Sequence, residues 1–279
     1  MKADLHVHSV QSDGSFTRGR ILAAAAGLGI THLAFCEHDD TRFYPEAAAL
    51  GRRAGVKVLR AVELSACDPQ TGVKAHVLGY LFRSTSAIDA LCAPVLRRRH
   101  ANCLWQIEVL HGLGYRISPQ DVLPYAQGGT LYKQHIYQYL LNSGQSEALF
   151  GEISRRLFKN GGPCDRQIEY PDARLAVAAI REDGGYAVLA HPGQQQNFSL
   201  VPALVEAGLC GLELCHPSNG AADRAQIREL AARHGLFCTG GSDFHGAYEA
   251  GRDRLGAFLA PGDCPLPRVC DAMEQNGGL

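Results

Sequence analysis

The sequence has no CxxC pair, no apolar run long enough to span a bilayer and no surplus of either charge. Its ten cysteines lie scattered at Cys36, Cys67, Cys92, Cys103, Cys164, Cys210, Cys215, Cys238, Cys264 and Cys270. A disulfide framework belongs to smaller, secreted chains, so these are read as buried free thiols behaving as small hydrophobes. The 27 basic and 28 acidic side chains leave a formal charge of -1. That balance excludes bulk attraction to long nucleic acid or an anionic membrane. No basic start leads into an apolar stretch of signal type, and the expected location is the cytoplasm. There is no internal repeat and no low-complexity tract.

What is present is room for a core and a repeating rhythm. The 279 residues, 46% of them hydrophobic and 20% charged, suffice for one large α/β domain or two ordinary ones. Short apolar runs alternate with helical patterns: ADLHVH, RGRILAAAAGLG, THLAFCEHD and PEAAALGRRAG, then VKVLRAVELSA and VKAHVLGYLF. The rhythm resumes with GGYAVLAHPG, CGLELCHPS, GLFCTGGSDFH and RLGAFLA. Apolar strands separated by helices predict a parallel sheet with helices outside it. About seven or eight such strands favour a closed or nearly closed barrel. Between about Arg83 and Arg166 the spacing becomes purely helical, which predicts an insertion bounded by turn formers such as Gly161, Gly162 and Pro163.

The polar residues of this pattern fall at expected strand ends. His6 and His8 are two apart on a strand, so both point to one face and can grip one metal ion. Similar strand ends carry His38 with Glu37 and Asp39, Glu63, His76, His191, His216, and Asp243 with His245. Burying so many ionisable groups costs several kcal/mol apiece, as a rough figure, unless they are paired or bound to metal. Two ions close together can generate a hydroxide and offset charge during in-line displacement at phosphorus. Glu37 and Asp39 are read as orienting His38 or capping the next helix. His32, His100, His111 and His234 lie in expected helical or loop settings and are assigned exposed or packing roles.

DLHVHSVQSDGS, EHDD, VELS, HVLGY, AHPG and GSDFH together resemble, in order, the motifs of the polymerase-and-histidinol-phosphatase (PHP) family of metal-dependent phosphoesterases. The resemblance implies a distorted seven-stranded (β/α) barrel of TIM-like type over residues 1–82 and 167–279, with residues 83–166 as a helical insertion contributing to substrate binding. It also implies three divalent ions, manganese, iron or zinc. His6, His8, Glu63 and Asp243 would hold the first. Glu63, His76 and His191 would hold the second, and Asp13, His38 and His245 the third. In the histidinol-phosphatase branch the place of Asp13 is usually histidine, so the aspartate favours the small-nucleotide and cyclic-phosphate branch.

Catalysis is expected from a metal-bound hydroxide whose proton Asp243 manages, with His216 as proton donor to the leaving oxygen or as a phosphate ligand. Lys133 and His135 of the insertion are expected to face a substrate phosphate. The bisphosphate phosphatases usually carry arginine where Lys133 stands; a lysine offers a point charge without a bidentate fork. The expected activity is hydrolysis of a small phosphate ester: a cyclic sugar phosphodiester, a phosphomonoester or a nucleotide 3'-phosphate. The alternatives are a 3',5'-nucleotide bisphosphate phosphatase or 5'-end exonuclease on short oligonucleotides, a histidinol-phosphate phosphatase, and a non-catalytic metal-binding module. The expected partner is the small substrate alone, with no membrane and no long nucleic acid; the oligomeric state is left open.

Overall fold

The computed structural model describes residues 1–248 and 254–275. Eight strands and eleven α-helices alternate along the described chain. Strand β1 (Ala3–Val7) leads to α1 (Arg18–Gly27), β2 (His32–Phe35), α2 (Tyr44–Ala54) and β3 (Lys57–Leu59). These three strands form one parallel sheet in that order. Next come β4 (Ala61–Cys67) and β5 (Lys74–Tyr80), followed by the helical stretch of α3 (Ser86–Gly112), α4 (Pro119–Val122), α5 (Lys133–Asn142) and α6 (Glu152–Phe158). The chain then continues through α7 (Ala173–Glu182), β6 (Tyr186–Leu189), α8 (Pro192–Gln195), α9 (Val201–Glu206), β7 (Gly211–Cys215), α10 (Ala221–His234), β8 (Phe237–Gly240) and α11 (Leu266–Gln275).

Strands β4 to β8 form a second sheet, in sequence order. The eight described strands make two sheets, so the distorted, closed or nearly closed seven-stranded barrel expected from the sequence is not seen as one closed sheet among the described residues. The two sheets touch through isolated bridges, Val7 with Phe244 at one seam and His38 with Glu63 at the other. The expected continuous strand VKVLRAVELSA is broken at Arg60, whose guanidinium donates to the Phe82 and Arg83 carbonyls. The expected last strand, RLGAFLA, is not a strand either. Gly256 takes a φ of 78°, outside the extended region, and the stretch meets β1 through hydrogen bonds from Ala260 N to Ala3 O and from Gly256 N to Asp4 Oδ2, both 2.8 Å.

The sheet is also not wholly parallel. Strand β5 runs antiparallel to both β4 and β6. Only residues 68–73 join β4 to β5, and a parallel crossover needs about a dozen or more.

Packing follows the alternation. Leu5 and Val7, which alternate with His6 and His8 in the sequence, are fully buried. One apolar cluster joins β4 to β7 with α7, α9 and α10, and another joins β1 to β3 with α1 and α2. The helices of residues 86–158 share a cluster of their own, which includes Ile107, Leu110, Leu131, Ile136, Leu140 and Phe158. No described helix is long and apolar enough to cross a membrane.

Gly241, just past β8, shows how tightly the first strand is seated. A Cβ placed there would lie 2.3 Å from His6 Cβ and 2.4 Å from the His6 nitrogen. Gly241→Ala should therefore lower the unfolding free energy by about 2 kcal/mol or more, measured by chemical denaturation.

Candidate metal centre

Both histidines of the first strand are wholly buried, and their Nε2 atoms converge on the same pair of oxygens. His6 Nε2 and His8 Nε2 each lie 3.3 Å from Glu63 Oε2. The same nitrogens lie 3.3 Å and 3.1 Å from Asp243 Oδ1. The other Glu63 oxygen, Oε1, faces His76 Nδ1 at 2.8 Å and His191 Nε2 at 3.0 Å. A third grouping surrounds Asp13: His245 Nε2 at 3.3 Å, and His8 Nδ1 and His38 Nε2 at 3.6 Å. All nine residues singled out in the sequence as ligands thus gather in one place, with Glu63 at its middle.

Apart from the His191–Glu63 pair, most of these contacts are poor hydrogen bonds. His6 Nε2, both nitrogens of His8, His38 Nδ1 and His76 Nδ1 are buried without a well-formed hydrogen-bond partner. Buried polar atoms are normally paired, and convergent nitrogen and carboxylate donors at such spacing suit a shared cation. Four sets of atoms meet the distances for a metal: His8, Asp13, His38 and His245; His6, His216 and Asp243; His6, His8 and Glu63; His38, Glu63 and His76. The residues present therefore fit divalent ions, of borderline imidazole and hard carboxylate character.

Electrostatics keeps the carboxylates charged. Burial works against ionisation of Glu63, but His38, His76 and His6 outweigh it and hold its pKa well below the ordinary value. Asp13 is lowered in the same way by His245 and His38, and Asp243 by His6 and His245. Burial opposes charge on His245 too, yet Asp13 and Asp243 raise its pKa to about 10. His38 goes the other way: burial dominates and pushes its own pKa down to about 3.

The site breaks one expectation and adds one residue. Glu63 is the third residue of β4, and His76 lies near the start of β5, so neither sits at a strand's C-terminal end. His76 reaches the common rim because β5 is antiparallel; it pairs with Ser65, on the same face as Glu63. The added residue is Glu213, fully buried in β7. Its Oε1 accepts from His6 Nδ1 at 2.9 Å and its Oε2 from the His191 backbone at 2.8 Å. In the neutral ring that bond puts the proton on Nδ1 and leaves an Nε2 lone pair facing Glu63 and Asp243; without a cation, burial opposes charge on His6 but Glu213, Glu63 and Asp243 raise its pKa. The sequence signal was a lone charge inside the apolar strand GLELC. Positive φ angles at Asp39 (60°), His191 (27°) and Asp243 (51°) place local backbone strain at this same centre.

Of the flanking carboxylates, Glu37 accepts from the Ser9 backbone and from the hydroxyls of Ser9 and Ser12, which ties the loop after β1 in place. Asp39 pairs with Arg99 at 2.7 Å. His32 begins β2 and lies 3.0 Å from Asp271, far from the centre in role, and His100 Nδ1 accepts from the Leu131 nitrogen.

A cavity of about 220 Å³ opens from the cluster. One wall carries Asp13, His38 and His76; the other carries Lys74, Arg99, Lys133 and Arg166. Lys133 lines it and has no hydrogen-bond or ion-pair partner among the described residues, and burial pulls its pKa below the ordinary value. His135 does not line the cavity. It is 1% exposed, its Nδ1 accepts from the Tyr132 nitrogen at 3.2 Å, and burial lowers its pKa to about 4. His216 is equally buried and lies beside the cluster, its Nε2 3.2 Å from Asp243 Oδ2.

No family model matches the chain. It is 48% identical over 250 residues, covering 89% of its length and 95% of the relative's, to phosphoribosyl 1,2-cyclic phosphate 1,2-diphosphodiesterase of Eggerthella lenta. It is 29% identical over 263 residues to 3',5'-nucleoside bisphosphate phosphatase of Chromobacterium violaceum, covering 90% of this chain and 89% of the relative. Among solved structures, a Bifidobacterium adolescentis protein assigned as a metal-dependent phosphoesterase superposes with a TM-score of 0.87. It is 28% identical, over 97% of this chain and 95% of that one.

Glu213→Ala would leave His6 Nδ1 and the His191 nitrogen without an acceptor inside the core. The loss should be on the order of 3 kcal/mol of stability, read from chemical denaturation of the metal-stripped protein.

Proposed function

Because the chain belongs to the PHP family of metal-dependent phosphoesterases, we propose that it hydrolyses a cyclic phosphodiester on a phosphorylated sugar, opening the ring and then releasing inorganic phosphate. The observation that carries this reading is the juxtaposition of the buried ligand cluster with a small cavity whose far wall is cationic. At about 220 Å³ the cavity is below the roughly 300–1,000 Å³ of pockets for drug-sized ligands, which suits a compact metabolite. The relative from Eggerthella lenta, named for a phosphoribosyl cyclic phosphate, supports the same class.

Three positions are proposed for divalent ions of manganese, iron or zinc type. His6, His8, Glu63 and Asp243 would form one, Glu63 with His76 and His191 the next, and Asp13 with His38 and His245 the last. Bound there, such ions would lower the pKa of water and offset charge on phosphate oxygens. The two sheets are read as a strongly distorted barrel formed by residues 1–82 and 167–279. Residues 83–166 are the insertion that lines the substrate cavity.

The protein groups supply proton transfer and anchoring. His216 Nδ1 accepts from the Ser218 backbone at 3.0 Å, so in the neutral ring the proton sits on Nε2, directed at Asp243 Oδ2. That proton is available to a departing alkoxide, and Asp243 can take one from attacking water. In the first step water attacks phosphorus, one ring P–O bond breaks, and the released oxygen gains a proton. In the second, another water breaks the remaining ester and yields the diol and inorganic phosphate. Lys133, the unpartnered cation of the cavity, would hold the sugar's remote phosphate through both steps.

Incubated with manganese and a phosphoribosyl 1,2-cyclic phosphate, the protein should release inorganic phosphate in a colorimetric assay. No release from this compound, with release from a 3',5'-nucleoside bisphosphate, would move the assignment to the bisphosphate phosphatases. No release from either would refute the enzyme reading. Lys133→Ala should raise KM about tenfold or more with kcat nearly unchanged, the pattern for a lost charge-assisted contact remote from the reacting bond.

A further inference from the structure

Three side chains of the helical segment reach into the ligand cluster, and all three land at one corner of it. The Tyr132 hydroxyl donates to the His38 carbonyl at 2.8 Å from a buried position. Gln134 Nε2 donates to Asp13 Oδ2 at 2.7 Å. Arg99, on α3, donates from Nη2 to Asp39 Oδ2 at 2.7 Å and to the Ser65 hydroxyl at 2.9 Å, while its face lies 5.0 Å from the Tyr132 ring. Asp39 follows His38 directly, and its strained backbone is held by its own bonds, N to the Glu63 carbonyl and Oδ1 from the Ser65 nitrogen. Among the described residues no hydrogen bond runs from residues 83–166 to His6, His76, His191, His216 or Asp243.

We infer that the helical segment is a working part of one metal position, that of Asp13, His38 and His245, with Tyr132, Gln134 and Arg99 as its positioning residues. This rests on the proposal that the cluster binds divalent ions. Gln134 donates to one Asp13 oxygen and leaves the other, Oδ1, facing His8 and His245. Tyr132 and the Arg99–Asp39 pair both fix the backbone on the C-terminal side of His38. Such outer contacts set the aim of a ligand, and their loss typically weakens metal binding about 10–100-fold. Coupling of this kind is reciprocal: an ion at this position favours the docked segment as much as the docked segment favours the ion. The other two positions take no direct hydrogen bond from the segment and meet this one only through His8 and Glu63. The segment that lines the substrate cavity is thereby ordered by the metal that faces the same cavity.

The test compares the full-length protein with Tyr132→Phe and Gln134→Ala, each of which removes one polar contact without adding bulk. Manganese binding is followed by equilibrium dialysis with elemental analysis, and amide hydrogen exchange is followed with and without chelator. The expected result is a single equivalent weakened tenfold or more in each variant. The remaining equivalents should be unchanged, and excess manganese should restore activity. In the parent, chelation should speed exchange over residues 131–142, and manganese should reverse it. If both variants bind every equivalent as tightly as the parent, or if exchange over this segment ignores chelation, the inference is overturned while the metal assignment stands. A parent protein that binds no manganese, iron or zinc overturns both together.

Discussion

Everything in this molecule is arranged around ionisable groups that have been taken out of water. His6, His8, Glu63, His191, Glu213 and His216 are each 2% exposed or less. Removing an unpaired charge from solvent is worth several kcal/mol per ion, even after relaxation, which is a large fraction of a typical folding free energy of about 5–15 kcal/mol. The protein offsets this by interleaving two charge types, so that Glu63, Asp13 and Asp243 each face at least two imidazoles. The compensation is incomplete, because several ring nitrogens keep lone pairs that no donor in the described chain satisfies. A cation is the group that satisfies them all at once, and the metal dependence of the family follows from that electrostatic remainder.

The backbone serves the same end. His6 and His8 share a face only because a strand alternates, and Leu5 and Val7 anchor that strand by burying the opposite parity. Strand β5 must run backwards for His76 to meet Glu63, and the bridge between His38 and Glu63 joins the two sheets at the cluster itself. The sheet is therefore interrupted where the site sits. Residues Asp39, His191 and Asp243, in the left-handed region, are the points at which the chain leaves regular strand geometry to aim a side chain. Strain of about 1–3 kcal/mol per residue persists because neighbouring hydrogen bonds over-determine it, as those around Asp39 do.

Much of this was legible in the sequence. The ligand set could be read from polar residues closing apolar runs, since burial of such groups has few explanations. The features that escaped were those set by register and connection rather than by residue type. The direction of β5 was encoded in the short link of residues 68–73, too short for a crossover, but the apolar run VKAHVLGYLF reads alike in either direction. The break between β3 and β4 falls at Arg60, whose guanidinium contacts the Phe82 and Arg83 carbonyls, partners distant in sequence. RLGAFLA has a strand's composition, yet the positive φ of Gly256 prevents an extended path. Glu213 looked like one charge in a strand of leucines, and only its partners reveal it as the residue that sets the His6 tautomer. His135, expected from its motif to meet substrate, lies outside the cavity lining with its Nδ1 bonded to the Tyr132 backbone.

The same electrostatic remainder explains why the cavity stands where it does. A substrate phosphate brings negative charge to a centre already rich in carboxylates, so without cations on both sides it would be repelled. On one side the ligand cluster can supply metal charge; on the other stand Lys74, Arg99, Lys133 and Arg166. Three of those four are already committed, Arg99 to Asp39, Arg166 to the Asn102 side chain and Lys74 to Gln167. They shape the wall and set its potential, but their donors are partly used. Lys133 alone is held in a half-buried position without a counter-group, a condition that burial makes unfavourable and that an arriving dianion would relieve. Lone pairs on one wall call for cations and the unpartnered Lys133 on the other calls for an anion, so a phosphate ester fits between them only when metal charge faces it.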